Sequence, residues 1–404
     1  MGLSEIKFII MKKRYRFLWF LFGIFIFNSH LAVCSSPPTR LDMKRDFTVV
    51  EKVELKPFKT YDGIKAWYTW IIDGSLLYVI DHDPRYDLGT CYDFNTGKKL
   101  SVLAKHGKAP YELSDYISYE TIHVTKDFIV FVPAETILKS GSRKAVYTRE
   151  NAIKVFAKKD VINNVPLKDR KVIIPAFPDS VWVEQATILP NGAIVAIMPS
   201  PFFDLQKLEK DARTGMEKKT LMVLGQKGVT YHETLPGEGF PEYEMYSKPN
   251  PYISMKQANA RGLFRTRGND MAVFAVDGQF MLYTFDFNSG KVKNVKRYTD
   301  ILPLNGGNEV GNDMGLRVVC LEVTDNHIFC LVSGYFSEAD KQSKTDRSAV
   351  FVFDWNLKPI KKFELPKLTK GYYTIPMDGS AVYFKQVDKE NDKNTLLYKA
   401  DLKI

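Results

Sequence analysis

The densest group of potential ligand side chains in this 404-residue chain is the segment Asp81-His-Asp-Pro-Arg-Tyr-Asp87. Carboxylate oxygens such as those of Asp81, Asp83 and Asp87 are the ligands that a hard cation such as calcium prefers. Aspartate also shapes polar turns by hydrogen-bonding the backbone, and Pro84 suits such a turn. We favour the turn, so we expect no bound metal and no cofactor, and these three aspartates remain the metal candidates.

The motifs of common enzyme classes are absent from the sequence. It contains no G-x-S-x-G, no H-E-x-x-H, no Walker-type Gly-rich loop and no S-x-D-x-G-x-x-W box of the sialidase type. We interpret His106 as a loop histidine rather than a base, and Cys91 as a strand residue without a basic neighbour that would activate its thiol. No catalytic residue is assigned, and we favour a protein that is not an enzyme.

Tyrosine and arginine are frequent in the segments that connect one predicted pair of strands to the next. Tyrosine supplies rigid contact area, and the arginine guanidinium supplies forked hydrogen-bond donors that match a carboxylate. Such residues can stack on sugar rings or bind acidic groups, and they can equally cap and brace the ends of sheets. The candidate ligand-binding residues are Tyr111, Glu112, Tyr116, Tyr246, Arg261, Arg265, Arg317 and Tyr372.

Short apolar strands follow turn signals six times along the chain, as in residues 73–80 and 378–384, and each is followed by a second strand. The second strands align at Asp93, Ala157, Leu224, Asp286, Asp354 and Ala400. The intervals between these positions are 64, 67, 62, 68 and 46 residues. A near-constant period built from strands alone is typical of a β-propeller. We therefore predict an all-β fold, a six-bladed β-propeller of mostly four-stranded blades.

Three of the second strands end in the same turn pattern, Asp-aromatic-Asn, at Asp93, Asp286 and Asp354. The Asp side chain can accept a hydrogen bond from the backbone two residues on, and Gly97 and Gly290 can adopt a positive φ. We expect a tight chain reversal after each of these strands.

A propeller must close its ring, and the usual device is an N-terminal strand that completes the last blade. Residues 47–55 alternate in a way that suits such a strand. We expect residues near 47–56 to join the blade of residues 370–404, so that residues 47–404 form a single propeller domain. This closure ties the chain ends together and removes two open sheet edges.

Cys320 and Cys330 flank a predicted hairpin. A two-residue turn at Asp325-Asn326 would place Cys320 opposite Leu331, whereas a three-residue turn would place the two cysteines opposite each other. We favour two buried cysteines without a disulfide, and their spacing does not suggest a metal site.

The N-terminal residues have the pattern of a targeting segment. Met11-Lys-Lys-Arg-Tyr-Arg16 is positively charged, and the apolar residues 17–27 are too few to span a bilayer. We therefore expect a signal peptide over residues 1–33, with Met11 as an alternative start.

The end of this segment, Leu31-Ala-Val-Cys-Ser35, resembles the lipobox of bacterial lipoproteins. Cys34 would then be acylated, and residues 34–46 would form a lipid-anchored tether. Val33 stands where the lipobox usually has a small residue. The alternative is an ordinary secretory signal that is cleaved near Ser35 or Ser36.

The formal net charge of +10 overstates the basicity of the rest of the chain. Residues 1–33 contain five basic residues and one acidic residue, which leaves about +6 for residues 34–404. Basic and acidic residues are well mixed there, with no sustained basic run. The sequence therefore does not favour a nucleic-acid partner.

The stretch Lys105-His-Gly-Lys-Ala-Pro-Tyr-Glu-Leu113 resembles the G-x-G-P-x-E-F element of the six-bladed, TolB-like propeller lipoproteins of Bacteroidetes. The matching residues are Gly107, Pro110, Glu112 and Leu113, and Ala109 replaces the second Gly. Together with the lipobox and the blade length, the resemblance covers roughly residues 34–404. It implies a lipid-anchored propeller and no particular activity, because a fold does not fix a function.

These observations lead us to expect an extracytoplasmic, lipid-anchored binding or scaffold module of the bacterial cell envelope, with the outer membrane as the expected location. One face of the propeller would bind a protein, a peptide or a glycan. The alternative is an enzyme, a lyase or hydrolase, whose active site in the axial channel requires two or more acid/base groups with shifted pKa values. A third reading, a structural partner in an envelope complex, predicts a flat apolar patch.

Replacing Cys34 tests the expected lipid anchor. In Cys34→Ala the acylated thiol is lost, so labelled palmitate should no longer enter the protein, and the protein should leave the membrane fraction. Ser36→Ala is the matched control and should keep both the label and the membrane association. An unlabelled wild-type protein, or unchanged membrane association of Cys34→Ala, would contradict the anchor.

Overall fold

The structure is a computed structural model. It describes residues 43–81, 87–107, 109–113, 122–132, 135–139, 142–146, 153–175, 183, 185–197, 219–233, 262–276, 280–298, 317–334, 336, 347–366 and 371–404. No helix in this part of the chain is long and apolar enough to cross a membrane. The expected signal peptide and Cys34 lie outside the described residues.

The described chain begins with one short helix and two strands: α1 (Met43–Asp46), β1 (Val50–Lys52) and β2 (Lys56–Tyr61). Blade 1 follows and contains β3 (Thr69–Asp73), β4 (Leu76–Ile80), β5 (Gly89–Asp93), β6 (Lys99–His106) and the short β7 (Glu112–Leu113). Blade 2 contains β8 (Ile122–Val124), β9 (Phe128–Phe131), the inserted hairpin of β10 (Glu135–Lys139) and β11 (Ser142–Val146), β12 (Lys154–Ala157), helix α2 (Lys158–Ile162), a 3₁₀ turn (Leu167–Asp169) and β13 (Val172–Ile173).

The remaining blades are regular. Blade 3 contains β14 (Gln185–Ile188), β15 (Ile194–Ile197), β16 (Lys219–Gly225) and β17 (Gly228–Glu233). Blade 4 contains β18 (Gly262–Arg267), β19 (Met271–Val276), β20 (Met281–Asp286) and β21 (Lys291–Arg297). Blade 5 contains β22 (Arg317–Val323), β23 (Ile328–Gly334), β24 (Arg347–Phe353) and β25 (Pro359–Glu364). Blade 6 contains β26 (Gly371–Thr374), β27 (Ala381–Val387) and β28 (Thr395–Asp401).

In every blade the main strands pair antiparallel in chain order. The first strand of a blade lies nearest the central axis, because the first strands of successive blades contact each other: β8 with β14, β14 with β18, and β18 with β22. All six predicted strand pairs are present as neighbouring strands. The predicted fold class, a six-bladed β-propeller, is therefore confirmed.

Among the described residues, the buried apolar side chains form six clusters, one between each pair of neighbouring blades. Blades 6 and 1 share the cluster that contains Trp70 and Tyr383, so the last blade packs on the first and the ring is closed. Both faces of a blade are covered by its neighbours. This explains why strands such as β20 read as continuous apolar runs, the pattern of strands buried on both faces.

The repeated turn forms as the sequence predicts. The Oδ1 atoms of Asp93, Asp286 and Asp354 accept hydrogen bonds from backbone N–H groups two or three residues on, at 2.6–2.9 Å. Gly97 and Gly290 adopt φ values of 75° and 66°. The third turn is one residue shorter, and Leu357 takes the left-handed conformation there (φ 59°). Its side chain is buried in the cluster between blades 4 and 5.

The cysteine hairpin has the register of the two-residue turn. Cys320 pairs with Leu331, and Leu321 pairs with Cys330. Cys91, Cys320 and Cys330 are all buried, and none of the three forms a disulfide, so the prediction of two buried cysteines without a disulfide is confirmed.

An N-terminal strand closes the ring, as predicted, but the strand that does so is β2 and not residues 47–55. β2 pairs antiparallel with β28 and becomes the fourth strand of blade 6. The preceding β1 pairs parallel with β25 and adds a fifth strand to blade 5. The predicted range was wrong because Phe47 inserts its ring against Phe351 and Phe353 of blade 5, at centroid distances of 5.0 and 5.3 Å. This contact fixes the segment at blade 5 before it reaches blade 6.

A second contact fixes the same segment to blade 4. Asp46 Oδ2 lies 2.9 Å from Lys296 Nζ, and it accepts a hydrogen bond of 3.2 Å from the Tyr298 hydroxyl. The backbone N–H of Val53 donates to Glu364 O at 3.1 Å. We call residues 46–61 the N-terminal strap, because they contact blades 4, 5 and 6 in turn.

Removing the Phe47 ring should loosen the strap. Phe47 is only 3% exposed, so Phe47→Ala should lower the free energy of unfolding by about 3–5 kcal/mol. Val49→Ala, at a residue that is 52% exposed, should change it by about 0.5 kcal/mol or less. Urea unfolding followed by tryptophan fluorescence measures both changes. Equal effects of the two substitutions would show that the strap does not depend on Phe47.

Candidate functional site

The six inner strands begin at the same end of the ring, because every blade has the same strand order and direction. We call this end the front face. The predicted ligand residue Tyr372 lies there, near the start of β26, together with Trp67 and Tyr68, which precede β3. The predicted Arg317 also begins an inner strand, β22.

Lys385 is the centre of the candidate site. It lies on β27 opposite Tyr372 of β26 and Leu397 of β28, and it is only 5% exposed. Its ammonium donates a 2.9 Å hydrogen bond to Tyr68 O of blade 1. Nζ lies 5.3 Å from the ring centroid of Trp70 and 5.7 Å from that of Tyr372, which is the geometry of two cation–π contacts.

Burial lowers the pKa of Lys385 to about 7, and the nearby Cys320 acts weakly in the opposite direction. A buried ammonium is unfavourable unless its charge is balanced, because it has lost its hydration. The charge state of Lys385 therefore depends on its surroundings near neutral pH.

Two exposed aromatic side chains lie at the front face of blades 6 and 1. Tyr372 is 53% exposed and Trp67 is 47% exposed. The ring centroids of Trp67 and Tyr68 lie 6.1 Å apart, and Lys65 Nζ lies 5.2 Å from the Trp67 ring. On β22 an irregularity in pairing leaves Val319 exposed. Large aromatic rings with this much exposure are typical of recognition surfaces.

Arg265, a predicted ligand residue, lies on the inner strand β18 and binds the next blade. Its Nε and Nη2 atoms donate to the two carboxylate oxygens of Glu322 at 3.3 and 3.2 Å, and Nη1 donates to Phe264 O at 2.9 Å. The Cys320 thiol lies 3.9 Å from Glu322 Oε1. The structure thus gives Arg265 a bracing contact between blades 4 and 5, and its ligand role stays a prediction.

Glu112, another predicted ligand residue, binds its own loop. Its Oε2 accepts a 3.0 Å hydrogen bond from the Ala109 backbone N–H. Gly107 adopts φ 150°, which L side chains rarely take, and a Cβ there would also meet that same oxygen, so glycine is favoured at this position. Lys154 of blade 2 donates to Ala109 O at 2.8 Å and to Glu112 O. The Gly-rich element is therefore a folded loop that connects blades 1 and 2.

The other predicted residues divide into two groups. Tyr111 is partly buried against the core between blades 1 and 2, where it braces the sheets. Tyr116, Tyr246, Arg261, Asp83 and Cys34 lie outside the described residues.

The aspartate segment is described only at its ends. Asp87 forms an ion pair of 3.1 Å with Lys99, and the Asp81 N–H donates to Leu88 O. Within the described part of the chain, no group of three or more His, Cys, Asp or Glu residues could hold a metal ion.

Cys91 has the basic neighbours that its sequence context did not reveal. Lys158 and Arg170 lie close enough to favour the thiolate. Burial outweighs them and, with Asp73, raises the pKa of Cys91 to about 12. The thiol is therefore not activated, in agreement with the prediction.

A cavity of about 310 Å³ lies on blade 5. It is lined by Phe336, Arg347, Ser348, Ala349, Lys362, Glu364 and Leu365. Lys362 donates to Glu364 at 2.8 Å, and this hydrogen bond is the main reason that the pKa of Glu364 is lowered. The two groups pair with each other inside the cavity.

Sequence reasoning did not select Lys385, Trp67 or Trp70. One signal was available, since Lys385 interrupts an apolar run in a predicted strand, and a lysine in that position must be paired or functional. No local pattern could show that Tyr68 and Trp70, more than 300 residues away in the chain, would surround it.

The fold defines the class of protein: the chain is a six-bladed β-propeller. Comparisons with protein-family models and with curated proteins each gave no match. The chain is similar to a crystal structure of a member of the DUF4221 family from Bacteroides vulgatus, at 12% identity and a TM-score of 0.46, over 87% of this chain and 98% of that one.

Two further solved structures are similar at the same low level. One is the Cps50 (Swd1) β-propeller domain of Myceliophteria thermophila, at 8% identity and a TM-score of 0.40, over 85% of this chain and 99% of that one. The other is a luciferin-regenerating enzyme, at 11% identity and a TM-score of 0.38, over 86% of this chain and 95% of that one. The class rests on the strand pairing of this chain, and these similarities add no function.

Neutralising Lys385 should change how stability depends on pH. The folded pKa is about 7 and the unfolded value is about 10.4, so above pH 7 the unfolded state binds the extra proton and wild-type stability rises with pH. Lys385→Met removes this contribution. The stability of the wild type relative to Lys385→Met should therefore increase by on the order of 2 kcal/mol between pH 6.5 and 8.5.

Urea unfolding at the two pH values measures this difference. The exposed Lys98→Met is the control, and its stability should follow that of the wild type. If the wild type and Lys385→Met showed parallel pH dependence, the ammonium of Lys385 would have to be hydrated in the folded protein.

Proposed function

We propose that this chain is an extracytoplasmic, lipid-anchored binding module of the bacterial cell envelope, and that the front face of blades 6 and 1 binds a protein, a peptide or a glycan. The location is supported by the signal-like residues 1–33, the lipobox-like sequence that ends at Cys34 and the resemblance to TolB-like propeller lipoproteins. These are sequence arguments, and the Cys34→Ala experiment tests them.

One observation carries the binding proposal: two aromatic side chains, Trp67 and Tyr372, are about half exposed at the same end of the ring. The rest of Trp67's neighbourhood is well packed, since Trp70 is buried and Tyr68 is partly buried. Exposed Trp and Tyr on a rigid frame supply contact area with little loss of conformational entropy when a ligand binds. Both peptides and sugars use such rings.

A thermal-shift screen of the full-length protein against peptide and glycan panels tests the proposal, because a ligand of the folded state raises the melting temperature. A ligand found in this way should bind at least about tenfold more weakly to Trp67→Ala and to Tyr372→Ala, which corresponds to about 1.4 kcal/mol or more. Ile174→Ala, at an exposed residue of blade 2, should bind normally.

Two results would overturn the proposal. One is a ligand whose affinity is the same for the wild type and for both aromatic variants. The other combines two negative results. The screen finds no ligand, and photo-cross-linking in cells with benzoylphenylalanine at position 372 captures the same molecules as the control with benzoylphenylalanine at position 174.

An enzyme remains the second candidate, for one specific reason. A buried lysine with a pKa near 7 can act as a base or as a nucleophile toward a carbonyl group. Glu322 of the inner strand β22 is an acidic group, but it is held by Arg265. Turnover of any screened ligand that is lost in Lys385→Met and Lys385→Arg alike would favour this candidate.

A further inference from the structure

Lys385 differs from the other buried cations of the described chain. Lys154 donates to two backbone carbonyls, and Arg170 donates to Val165 O and Leu103 O. Arg265 is neutralised by Glu322. Lys385 is the most buried of these lysines, and within the described residues its ammonium has one carbonyl acceptor and no carboxylate.

The groups around Lys385 leave its charge unbalanced. Tyr372 faces it from β26, Leu397 from β28, Trp70 from β3 and Cys320 from β22. Ring faces attract a cation but carry no net charge, and a lysine ammonium has three donors. The attraction between this ammonium and an anion acts in a low-dielectric site, and the lysine has already lost its hydration on folding, so only the anion's own hydration opposes the pairing.

The residues around Lys385 also indicate what kind of ligand would contain the anionic group. Tyr372 is exposed, and its ring lies 5.7 Å from the Lys385 ammonium. A ligand that stacks on the exposed part of Tyr372 therefore lies against the ring that borders the buried Lys385 ammonium. One ammonium balances one negative charge, which favours a carboxylate over a phosphate dianion.

We propose that the front face binds a ligand in which a carboxylate is attached beside a flat ring or apolar face, the carboxylate pairing with Lys385 and the flat face stacking on Tyr372 and Trp67. This inference rests on the binding function proposed above and adds the ligand's charge. Peptides that end in an aromatic residue and glycans that contain a uronic acid share this chemistry.

Matched pairs of probes test the charge separately from the stacking. N-acetyl-tyrosine and its amide form one pair, and methyl glucuronoside and methyl glucoside form the other, each measured with the full-length protein by calorimetry at pH 7. The acidic member of one pair should bind at least about tenfold more tightly than its neutral partner, and the pair that shows this identifies a peptide or a glycan source.

Lys385→Met and Lys385→Gln, two neutral variants, should abolish the preference for the acidic probe. The control Lys98→Met, at an exposed lysine, should retain that preference. At pH 8 the acid should bind with uptake of a proton by the wild type, seen as a dependence of the measured enthalpy on the buffer, because pairing with a carboxylate favours the charged lysine. If Lys385 had only a structural role, no proton would be taken up when the acidic probe binds.

The experiment distinguishes a failure of the carboxylate inference from a failure of the proposed binding function. If the neutral probes bind as tightly as the acids and lose affinity in Tyr372→Ala, the binding module stands and the carboxylate inference is wrong. If an acidic probe is preferred equally by the wild type and Lys385→Met, another cation selects it and the inference is again wrong. If no probe binds at millimolar concentration, neither source of carboxylate fits and the inference is overturned.

Discussion

The constraint on which this structure depends is that each blade is covered only by its two neighbours. The buried clusters lie between blades, and the cluster shared by blades 6 and 1 includes Tyr61 of β2, the strand that pairs with β28. That pairing joins residues more than 330 positions apart, which makes closure a non-local contact. The Lys385 site depends on it directly, because Tyr68 and Trp70 come from blade 1 while Tyr372 and Lys385 come from blade 6.

Polar contacts between blades have a different role from the apolar clusters. Arg265 pairs with Glu322 between blades 4 and 5, and Lys158 pairs with Asp73 between blades 2 and 1. A buried ion pair adds little net stability, because both groups lose their hydration, but a mismatched arrangement would leave a charge buried without a partner. These pairs therefore favour one alignment of neighbouring blades. Lys385 forms such an interblade contact with a neutral carbonyl instead of a carboxylate.

Local patterns determined how much could be predicted from the sequence. The Asp turns depend on residues a few positions apart and were predicted correctly, whereas the sequence left two registers open for the cysteine hairpin, and the structure has the one that pairs Cys320 with Leu331. The closing strand was misplaced because Phe47 packs against rings 300 residues away. Glu112 looked like a ligand because its hydrogen bond to Ala109 depends on a loop conformation that the sequence does not reveal. Lys385 was missed because its neighbours belong to the opposite end of the chain.

The N-terminal strap has a mechanical consequence. The chain leaves the ring at Asp46, which is bound to Lys296, and Phe47 is held between the rings of blades 4 and 5. A pulling force applied from the N-terminal side would therefore load the Asp46 and Phe47 contacts first, then the parallel β1, and only then β2. The pairing of β2 with β28, which closes the propeller, is thereby protected from tension on the chain that precedes the strap.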